Sequence, residues 1–413
     1  MRENLQVLRH AGFRRLFAAR SISVLGSAIA PVALAFAVLD LPGATASTLG
    51  LVLAAQEVPQ ILFVLLGGVV ADRFPRNRVM LSADALAGVA ELALGALFLS
   101  GHARPPALML LAAINGIASA MFFPAVTGLI PQVVPDDHLQ GANGLLRLTT
   151  NLARILGTAL AGVLVATVGS GQALLVDGAT FVVSALLLAG IHVTSSERAE
   201  GSTMLKDLRV GWREFVSRQW VWVIVLCFSV SNMGFVAVFG VLGPVRARTS
   251  YDGAASWASI LVALSVGMLV GVVVALRIRP RRPMRVAMIV VLLEVLPILL
   301  LATAKPVWAV AIAAFLSGVS IDVFTVLWDT ALQQHVPLEV LSRVSAYDYL
   351  GSMVLGPFGL VLAGAAAGLL GLSGALWLCA ALVTVSVLAG LLSPSVRTLP
   401  AGTAAQAEAG PGS

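Results

Sequence analysis

The chain has 413 residues, of which 59% are hydrophobic and only 11% are charged. Soluble globular domains average about 25% charged residues, so this composition predicts a membrane protein with several spans. The formal net charge of +6 does not indicate nucleic-acid binding, because the basic residues lie in short loops without interleaved aromatic residues. The excess of Lys and Arg that marks cytoplasmic loops of membrane proteins explains the charge better.

Sequence motifs for catalysis or for ATP use are missing from the chain. No zinc-ligand spacing, phosphate-binding glycine loop or Gly-x-Ser-x-Gly elbow occurs, so the sequence predicts neither an enzyme nor a protein that needs a metal or cofactor. Cys227 and Cys379 both lie in apolar runs and are predicted to be buried free thiols. Any energy that the protein uses would then come from an ion gradient.

The amino-terminal half contains six apolar stretches, each long enough for the about 20 residues that a spanning helix needs. They are residues 16–39, 48–68, 79–100, 106–130, 139–168 and 172–193. The first stretch exceeds the roughly 7–15 residues of a signal-peptide core, so it predicts an uncleaved helix.

A charged segment then interrupts the pattern and separates two halves. Residues 194–219 are predicted to be a cytoplasmic linker, with an interfacial helix around residues 205–215, between an amino-terminal half (1–193) and a carboxy-terminal half (220–392). Six further spans are predicted at residues 221–245, 254–276, 284–304, 307–330, 341–370 and 373–392. The tail, residues 393–413, is rich in Pro, Ala and Gly and is predicted to be disordered.

The distribution of basic residues predicts the orientation in the membrane. Most of the 26 Lys and Arg residues fall on the side that faces the cytoplasm if the amino terminus is cytoplasmic. The loops on the other side contain only Arg104, Arg246, Arg248 and Lys305. Both termini are therefore predicted to be cytoplasmic, and the preference for Ala, Gly and Arg over Lys favours a multi-pass protein of a bacterial inner or plasma membrane.

The two halves repeat each other at an offset of 202 residues. At this offset Val134-Pro135 falls on Val336-Pro337, Gly157 on Gly359, Ala161 on Ala363 and Gly162 on Gly364. A parallel repeat of six spans and six spans around a charged linker is typical of secondary transporters whose halves are related by a pseudo-two-fold axis.

A short polar hairpin, residues 67–80 with the sequence GGVVADRFPRNRVM, joins the second and third spans. A charged side chain costs about 2.5 kcal/mol or more at the bilayer centre, so the hairpin is predicted to lie at the cytoplasmic surface. It resembles the signature between helices 2 and 3 of the major facilitator superfamily, Gly-x-x-x-Asp-Arg-x-Gly-Arg-Arg/Lys-x. Gly68, Asp72, Arg73 and Arg76 match, Pro75 replaces the second glycine, and Asn77, followed by Arg78, stands where a cation is usual.

This resemblance covers about residues 13–392 and implies both a fold and a gating role. The fold is all-α and integral to the membrane, with twelve transmembrane helices in two six-helix halves related by pseudo-two-fold symmetry. The implied gate is a cytoplasmic latch, in which Asp72 and the neighbouring arginines bind the polar start of helix 11, near Arg343 and Asp348, when the carrier faces outward.

Ionisable side chains inside the predicted spans are candidates for proton coupling or substrate binding, because they are expensive in hydrocarbon. The candidates are Glu57 in the second span, Arg154 in the fifth, and Asp322 and Asp329 in the tenth. Other carboxyls are predicted to be structural: Glu91 and Glu294, at equivalent positions of the third and ninth spans, and Asp84, Asp177 and Asp348, near helix ends. For each of them the alternative is a satisfied hydrogen bond between helices.

The fifth span carries a polar stripe and a run of small residues. Asn143, Arg147, Asn151, Arg154 and Thr158 recur at steps of three and four and line one side of the helix. The segment Gly157-Thr158-x-x-Ala161-Gly162 resembles the Gly-Pro-x-x-Gly-Gly motif in helix 5 of facilitator antiporters, with the proline and one glycine replaced. The corresponding part of the eleventh span keeps Gly356-Pro357, and these small residues are predicted to let helices pack closely.

Several further phrases resemble the enterobactin-exporter and macrolide-efflux branch of this superfamily, whose members include drug:proton antiporters. They are FRRLFAAR at the start, VDGATFVVSALLL in the sixth span and LQQHVPLEVLSRVSAY after the tenth. The fourth span departs from the multidrug pattern, since Asn115 stands about where those proteins often carry an arginine.

The resemblance predicts a monomeric carrier that exports a small amphipathic organic compound, such as a drug, antibiotic or natural product, by proton antiport with alternating access. Two alternatives stay open. An importer of a small nutrient or siderophore could use the same fold, since the fold does not set the direction of transport. A non-transporting membrane sensor or scaffold would leave the charges within the spans without a purpose.

Overall fold

The computed structural model describes residues 7–135, 138–191, 193 and 204–401. All regular structure within these ranges is helical, as the composition predicts. Six spans precede the linker: span 1 (Ala11–Ser27 and Ala30–Leu39), span 2 (Ala46–Arg73), span 3 (Arg76–Leu99), span 4 (Pro105–Val133), span 5 (Leu139–Thr167) and span 6 (Ser170–Ala189).

The second half begins with a helix of the linker, Met204–Ser217, which covers the predicted interfacial helix. The spans that follow are span 7 (Gln219–Val236, Ala237–Leu242 and Gly243–Ser250), span 8 (Ala254–Arg277), span 9 (Pro283–Val291, Leu292–Glu294 and Val295–Ala302) and span 10 (Val307–His335). Span 7 widens into a π-helical turn at Ala237–Leu242, and span 9 tightens into a 3-10 turn at Leu292–Glu294. The sequence pattern predicted neither irregularity.

The last two spans are continuous in the structure. The helix Leu338–Met353 is followed by the helix Gly356–Leu392, which bends at Gly371 (φ 72°, ψ 165°). Eleven helical segments of the described chain are long and apolar enough to cross a membrane, and one of them, Arg343–Leu392, has 50 residues. A straight helix of that length would extend about 75 Å, against a hydrocarbon core of about 30 Å. We therefore assign the part before Gly371 to span 11 and the part after it to span 12.

Span 1 is broken in the middle. Its first helix ends at Ser27 and its second begins at Ala30, with Ala28 and Ile29 between them. Pro31 lies in the first turn of the second helix and has no N–H to donate to the Ser27 carbonyl, which explains why one helix cannot continue into the other.

The chain divides into two compact units. The first unit comprises Met1–Ala199 and Ala247–Val262, and the second comprises Glu200–Arg246 and Ala263–Ser413. The end of span 7 and the start of span 8 thus belong to the first unit, together with spans 1 to 6. The core of this unit is formed by large apolar side chains that are fully buried, among them Phe13, Leu16, Met80, Leu129 and Leu188.

The second unit has its own apolar core, built on spans 7, 9, 10 and 11. Fully or almost fully buried members are Trp220, Met284, Val291, Trp328 and Val344. The start of the tail also contributes to it: Pro394–Arg397 is a short helix and Val396 is completely buried. The composition predicted disorder from Ser393 onward, but apolar burial fixes residues 393–401, and residues 402–413 lie outside the described part of the chain.

Glycines allow two pairs of spans to approach to backbone contact. A Cβ atom on Gly116 of span 4 would collide with the Gln56 carbonyl oxygen of span 2, and one on Gly318 of span 10 would collide with the Leu264 carbonyl oxygen of span 8. Gly116 and Gly318 are 202 residues apart, the offset of the sequence repeat. Each half therefore uses a glycine at the same point to bring its helices together.

Candidate functional site

The hairpin between spans 2 and 3 is tied to the rest of the first unit by two side chains. Arg76 Nη1 donates a hydrogen bond to the Gly128 carbonyl of span 4. Asn77 Nδ2 donates to the Ile191 carbonyl, just after span 6, at 2.6 Å, and Asn77 is only 8% exposed. The asparagine that replaces the usual cation of this motif therefore anchors the hairpin to the end of span 6.

The structure says less about the other residues of the hairpin motif. Arg73 and Arg78 are exposed, in keeping with a polar surface loop. The side chain of Asp72 and the surroundings of Gly68 lie outside the described part of the structure, so the latch role of Asp72 stays a prediction.

Span 1 brings a cation, Arg20, into the first unit. Arg20 is half-buried, its guanidinium carbon lies 5.2 Å from the centroid of the Phe122 ring, and it interacts electrostatically with Asp84 of span 3. Asp84 is 2% exposed and accepts a hydrogen bond from the Ser184 hydroxyl of span 6. Asp84 thus joins three spans and does not cap a helix end.

The two strongest candidates of the first unit occupy different settings. Glu57 of span 2 is half-buried, and among the described residues it forms no hydrogen bond or ion pair. Arg154 of span 5 is exposed and lies close enough to Arg20 for the two charges to interact. The structure does not join Glu57 to Arg154 by a direct contact, so a proton or a substrate would meet them as separate polar groups.

A second carboxyl cluster lies between spans 3, 4 and 6. Glu91 is 2% exposed and its Oε1 accepts a hydrogen bond from Asn115 Nδ2. Asp177 is 1% exposed, and its Oδ1 lies 3.5 Å from the Thr180 hydroxyl. The charges of Glu91 and Asp177 are close enough to repel each other. The sequence analysis did not connect these two carboxyls.

The polar stripe of span 5 is exposed over most of its length, but its small residues pack closely. Gly157 lies against the Leu25 carbonyl and Ala28 of span 1, and a Cβ on Gly162 would lie 2.6 Å from the Ala258 Cβ of span 8. All of these residues belong to the first unit. Both glycines therefore stand where the motif predicts close helix packing.

In the second unit, the candidates of span 10 face different neighbours. Asp322 is half-buried, and a Cβ added to Gly271 of span 8 would lie 3.1 Å from the Asp322 Cβ. Asp329 is exposed. Asp348 of span 11 accepts hydrogen bonds from Trp328 Nε1 at 2.9 Å and from the Ser352 hydroxyl at 3.3 Å. Asp348 thus anchors span 11 to span 10.

The Gly356-Pro357 pair starts a helix. Both residues are buried in the first turn of Gly356–Leu392, where the missing N–H of proline costs no helical hydrogen bond. The close approach lies one turn later, where a Cβ on Gly359 would collide with the Met233 carbonyl of span 7.

Sequence reasoning missed the polar contacts of Arg20, Asp177 and Glu91. For Glu91 the spacing of glycines is a signal, since Gly88 lies three residues before it and Gly95 four residues after it. Small residues at such steps mark the face along which a helix meets its neighbour, so Glu91 lies on a predictable contact face, whereas Asp177, six residues after Gly171, lies off the corresponding face of span 6.

The fold and the charged groups inside the spans define a class of protein, a multi-pass membrane transporter of the secondary type. A family model described as the Major Facilitator Superfamily matches residues 16–358. The chain belongs to this superfamily, whose members are transporters and not enzymes.

Relatives and solved structures agree with this assignment. The chain is 24% identical over 413 residues to the multidrug efflux pump Tap of Mycobacterium tuberculosis, covering 95% of each chain. It is 26% identical over 376 residues to the enterobactin exporter EntS of Citrobacter koseri, covering 86% of this chain and 87% of the relative. The crystal structure of the nucleoside transporter NupG superimposes with a TM-score of 0.74 at 14% identity, over 92% of this chain and 98% of NupG; this likeness shows the fold.

Proposed function

We propose that the protein exports a small amphipathic organic compound, such as a drug, an antibiotic or another natural product, by proton antiport. The observation that carries the proposal is the similarity to a multidrug efflux pump over 95% of both chains, together with the similarity to an exporter of enterobactin. A match of this length includes both halves, so it concerns the whole transport machinery.

The side chains inside the spans support a gradient-driven carrier. Glu57 is a half-buried carboxyl without an ion pair among the described residues, and Arg154 is an exposed guanidinium on a span. Charged groups in hydrocarbon are retained where they bind ions, protons or substrate. A carboxyl offers a proton site, and a guanidinium offers a fixed partner for an anionic group. Alternating access would then follow if the inward and outward states hold the proton with different affinity.

The direction of transport is tested with inside-out membrane vesicles from cells that express the chain. Vesicles are energised with an acid interior and given a panel of antibiotics and fluorescent dyes, with and without a protonophore. Export from the cell predicts accumulation of at least one compound inside the vesicles, and the protonophore should abolish it. Uptake that occurs only in right-side-out vesicles would replace export by import, the alternative for a small nutrient or siderophore.

Two substitutions locate the charge requirement in the same assay. Glu57→Gln should lower proton-driven accumulation at least tenfold if Glu57 participates in coupling. The matched control is Glu214→Gln, since Glu214 lies in the linker helix, where it pairs with Arg218 at 2.6 Å. Pairs four residues apart on a helix contribute about 0.3–0.5 kcal/mol, so the control should transport normally. Equal transport by both variants would remove Glu57 from the coupling site.

The hairpin belongs to the same proposal. Asp72→Ala should abolish transport while expression and detergent-extracted yield stay unchanged, because the latch acts on the exchange between states and not on the fold. The control is Glu214→Gln in the linker helix, which lies outside the hairpin. Retained transport by Asp72→Ala would remove the latch role.

We further propose that this hairpin and both termini face the cytoplasm.

A further inference from the structure

Spans 3 and 6 cross at a contact built from glycines. A Cβ on Gly88 would lie 3.3 Å from the Gly178 carbonyl oxygen, and a Cβ on Gly95 would lie 2.9 Å from the Gly171 carbonyl oxygen. Both distances are too short for a larger side chain without a shift of the helices. The crossing is therefore tight on both sides of Glu91; the Glu91 side chain bonds to Asn115 of span 4, and the Asp177 side chain lies beside Gly26 of span 1.

Two oxygen atoms at this crossing have no hydrogen-bond partner. Asn115 supplies a donor to Glu91 Oε1, and Thr180 supplies one to Asp177 Oδ1. Glu91 Oε2 and Asp177 Oδ2 are buried, and among the described residues neither has a donor. A buried polar atom without a partner costs about 1–3 kcal/mol or more, and an ionised carboxyl without a partner costs more than a protonated one.

The electrostatic surroundings leave the pair without a cation. Span 4 has no titratable residue and contributes Asn115, and span 6 has none apart from Asp177. On span 3, Asp84 lies two helical turns from Glu91, and Arg20 of span 1 is directed to Asp84. Arg154 of span 5 interacts with Arg20 in turn. Among the described residues, no cationic side chain is therefore shown beside the pair, and a proton is small enough to bind there without opening the closely packed crossing.

We propose that the Glu91–Asp177 pair binds a coupling proton in addition to any proton held at Glu57, an assignment that rests on the proposed proton antiport. In the unloaded state the pair holds one proton and carries one negative charge. In the loaded state a second proton, taken from water on one side of the membrane and later released to water on the other, makes the pair neutral. Two carboxyls that share a site take up protons as a unit.

Span 4 provides a hydrogen-bonded connection to the pair. The half-buried Ser119 hydroxyl donates to Asn115 Oδ1 at 3.4 Å, and Asn115 Nδ2 donates to Glu91. A side-chain amide has donors at nitrogen and acceptors at oxygen. Rotation of the Asn115 amide therefore offers a donor to the ionised Glu91 and an acceptor to the protonated one, so the same residue satisfies both states.

Span 1 is the element that can respond to the charge of the pair. A Cβ on Gly26 would lie 2.6 Å from Asp177 Oδ1 and would collide with the Thr180 hydroxyl. Gly26 immediately precedes Ser27, where the first helix of span 1 ends, and its carbonyl accepts a hydrogen bond from the Ile29 N–H at 2.6 Å. The pair thus lies against the break in span 1, and its charge acts on the bend of that span.

The test measures proton binding directly on the purified full chain in lipid nanodiscs. Infrared difference spectra recorded across a pH series should show the carbonyl band of a protonated carboxyl that appears and disappears with pH. Glu91→Gln and Asp177→Asn should each remove the component of this band that the pair contributes. Glu294→Gln is the matched control, because Glu294 is similarly buried in span 9, at 5% exposure; it should remove only the component that Glu294 contributes and leave the component assigned to the pair.

Transport supplies the second readout. Both variants should keep exchange of substrate across vesicle membranes at equal concentrations, which needs no proton, and should lose accumulation driven by a proton gradient at least tenfold. The double variant Glu91→Asp with Asp177→Glu keeps two carboxyls and the total side-chain volume, so it should restore the band and part of the accumulation. This variant also keeps the proposal testable if a single substitution impairs folding.

The outcomes separate this inference from the proposed function. If neither single variant loses a titrating component that Glu294→Gln keeps, or if both retain proton-driven accumulation, the site is overturned. Accumulation driven by a sodium gradient with no titrating band would also overturn it. If the unsubstituted chain shows no proton-driven accumulation, the proposed antiport fails, and the coupling role of the pair fails with it, even where the band is present.

Discussion

The two halves differ at corresponding buried positions. In the first, Glu91 of span 3 interacts electrostatically with Asp177 of span 6; in the second, Glu294 of span 9 lies 203 positions after Glu91, one position beyond the offset of the repeat. The residue 202 positions after Asp177 is Cys379, which is 6% exposed. Glu294 forms no hydrogen bond or ion pair among the described residues. At these positions the second half therefore has one carboxyl, whereas the first half has two.

This difference shows that the second carboxyl is not a requirement of packing. Cysteine behaves as a small apolar residue in a buried position, and it fills the Asp177 position of the second half. Both halves use glycine at Gly116 and Gly318 for close helix approach, so they follow the same packing scheme elsewhere. The extra carboxyl of the first half is better explained by function than by architecture.

The largest expected effect comes from making the first half resemble the second. Asp177→Cys should preserve the fold, since Cys379 is accepted at the equivalent position, but should lower proton-driven accumulation at least tenfold in vesicles. The control Cys379→Ser changes the equivalent position without adding a charge and should transport normally. Normal accumulation by Asp177→Cys would mean that the carboxyl pair of the first half has no special role.

A second prediction tests the feature that the halves share. Gly116→Ala and Gly318→Ala each place a Cβ against a backbone carbonyl that cannot rotate away, and overpacking of this kind costs about 1–3 kcal/mol. Both variants should lower the apparent melting temperature in detergent by similar amounts. The control is Gly144→Ala, since a Cβ there meets nothing within 4 Å; a helical alanine should be neutral or stabilising. A strongly unequal response of the two halves would contradict equivalent packing.

A third prediction compares two carboxyls, Asp348 and Asp84, that differ in whether a positive charge lies nearby. Trp328→Phe removes the indole donor to Asp348, and losing a hydrogen bond to a buried charged group costs about 1.5–3 kcal/mol. Ser184→Ala removes the hydroxyl donor to Asp84, where Arg20 still provides a positive charge. We therefore expect a smaller loss of thermal stability for Ser184→Ala.

The control for the tryptophan substitution is Trp308→Phe, because Trp308 is 68% exposed. This variant should melt at the temperature of the unsubstituted chain. If Trp308→Phe destabilises as much as Trp328→Phe, the effect belongs to the loss of a tryptophan ring and not to the hydrogen bond with Asp348.

The smallest expected effect belongs to an exposed ion pair of the first unit. Arg248 Nη2 lies 3.1 Å from Asp40 Oδ1, with the side chains 43% and 61% exposed. Such pairs contribute about 1 kcal/mol or less and weaken with salt. Asp40→Asn should therefore shift the melting temperature slightly at low ionic strength and not at all at high salt. A large shift that persists at high salt would indicate a further role for Asp40.

The spans could be predicted from sequence because long apolar runs have few explanations. Span 4, for example, was predicted at residues 106–130 and is observed at Pro105–Val133. The break in span 1 and the bend at Gly371 were not predicted, because both depend on how single residues affect a helix that apolarity alone would continue. The linker helix was predicted from its amphipathic pattern, and it packs through Trp212 on Tyr347, with ring centroids 5.4 Å apart.

The polar contacts were harder to predict because helix rotation is not visible in composition. Asp177 lies near the start of span 6, which suggested an anchoring role, yet it interacts electrostatically with Glu91. Arg20 lies close in sequence to Arg14 and Arg15, yet the helix of span 1 places it where it interacts with Asp84. Periodicity identifies the polar face of one helix, whereas the choice of partner depends on the angle and register of two.

The direct connection between spans 11 and 12 has a mechanical consequence. Gly371 turns the chain at a backbone angle that other residues rarely adopt (φ 72°), and no flexible loop separates the two helices. A tilt of span 11 therefore acts on span 12 through this one residue. Spans 1 and 2, by contrast, are joined by residues 40–45. Insertion of a short Gly-Ser segment after Gly371 would uncouple the two spans without changing either helix.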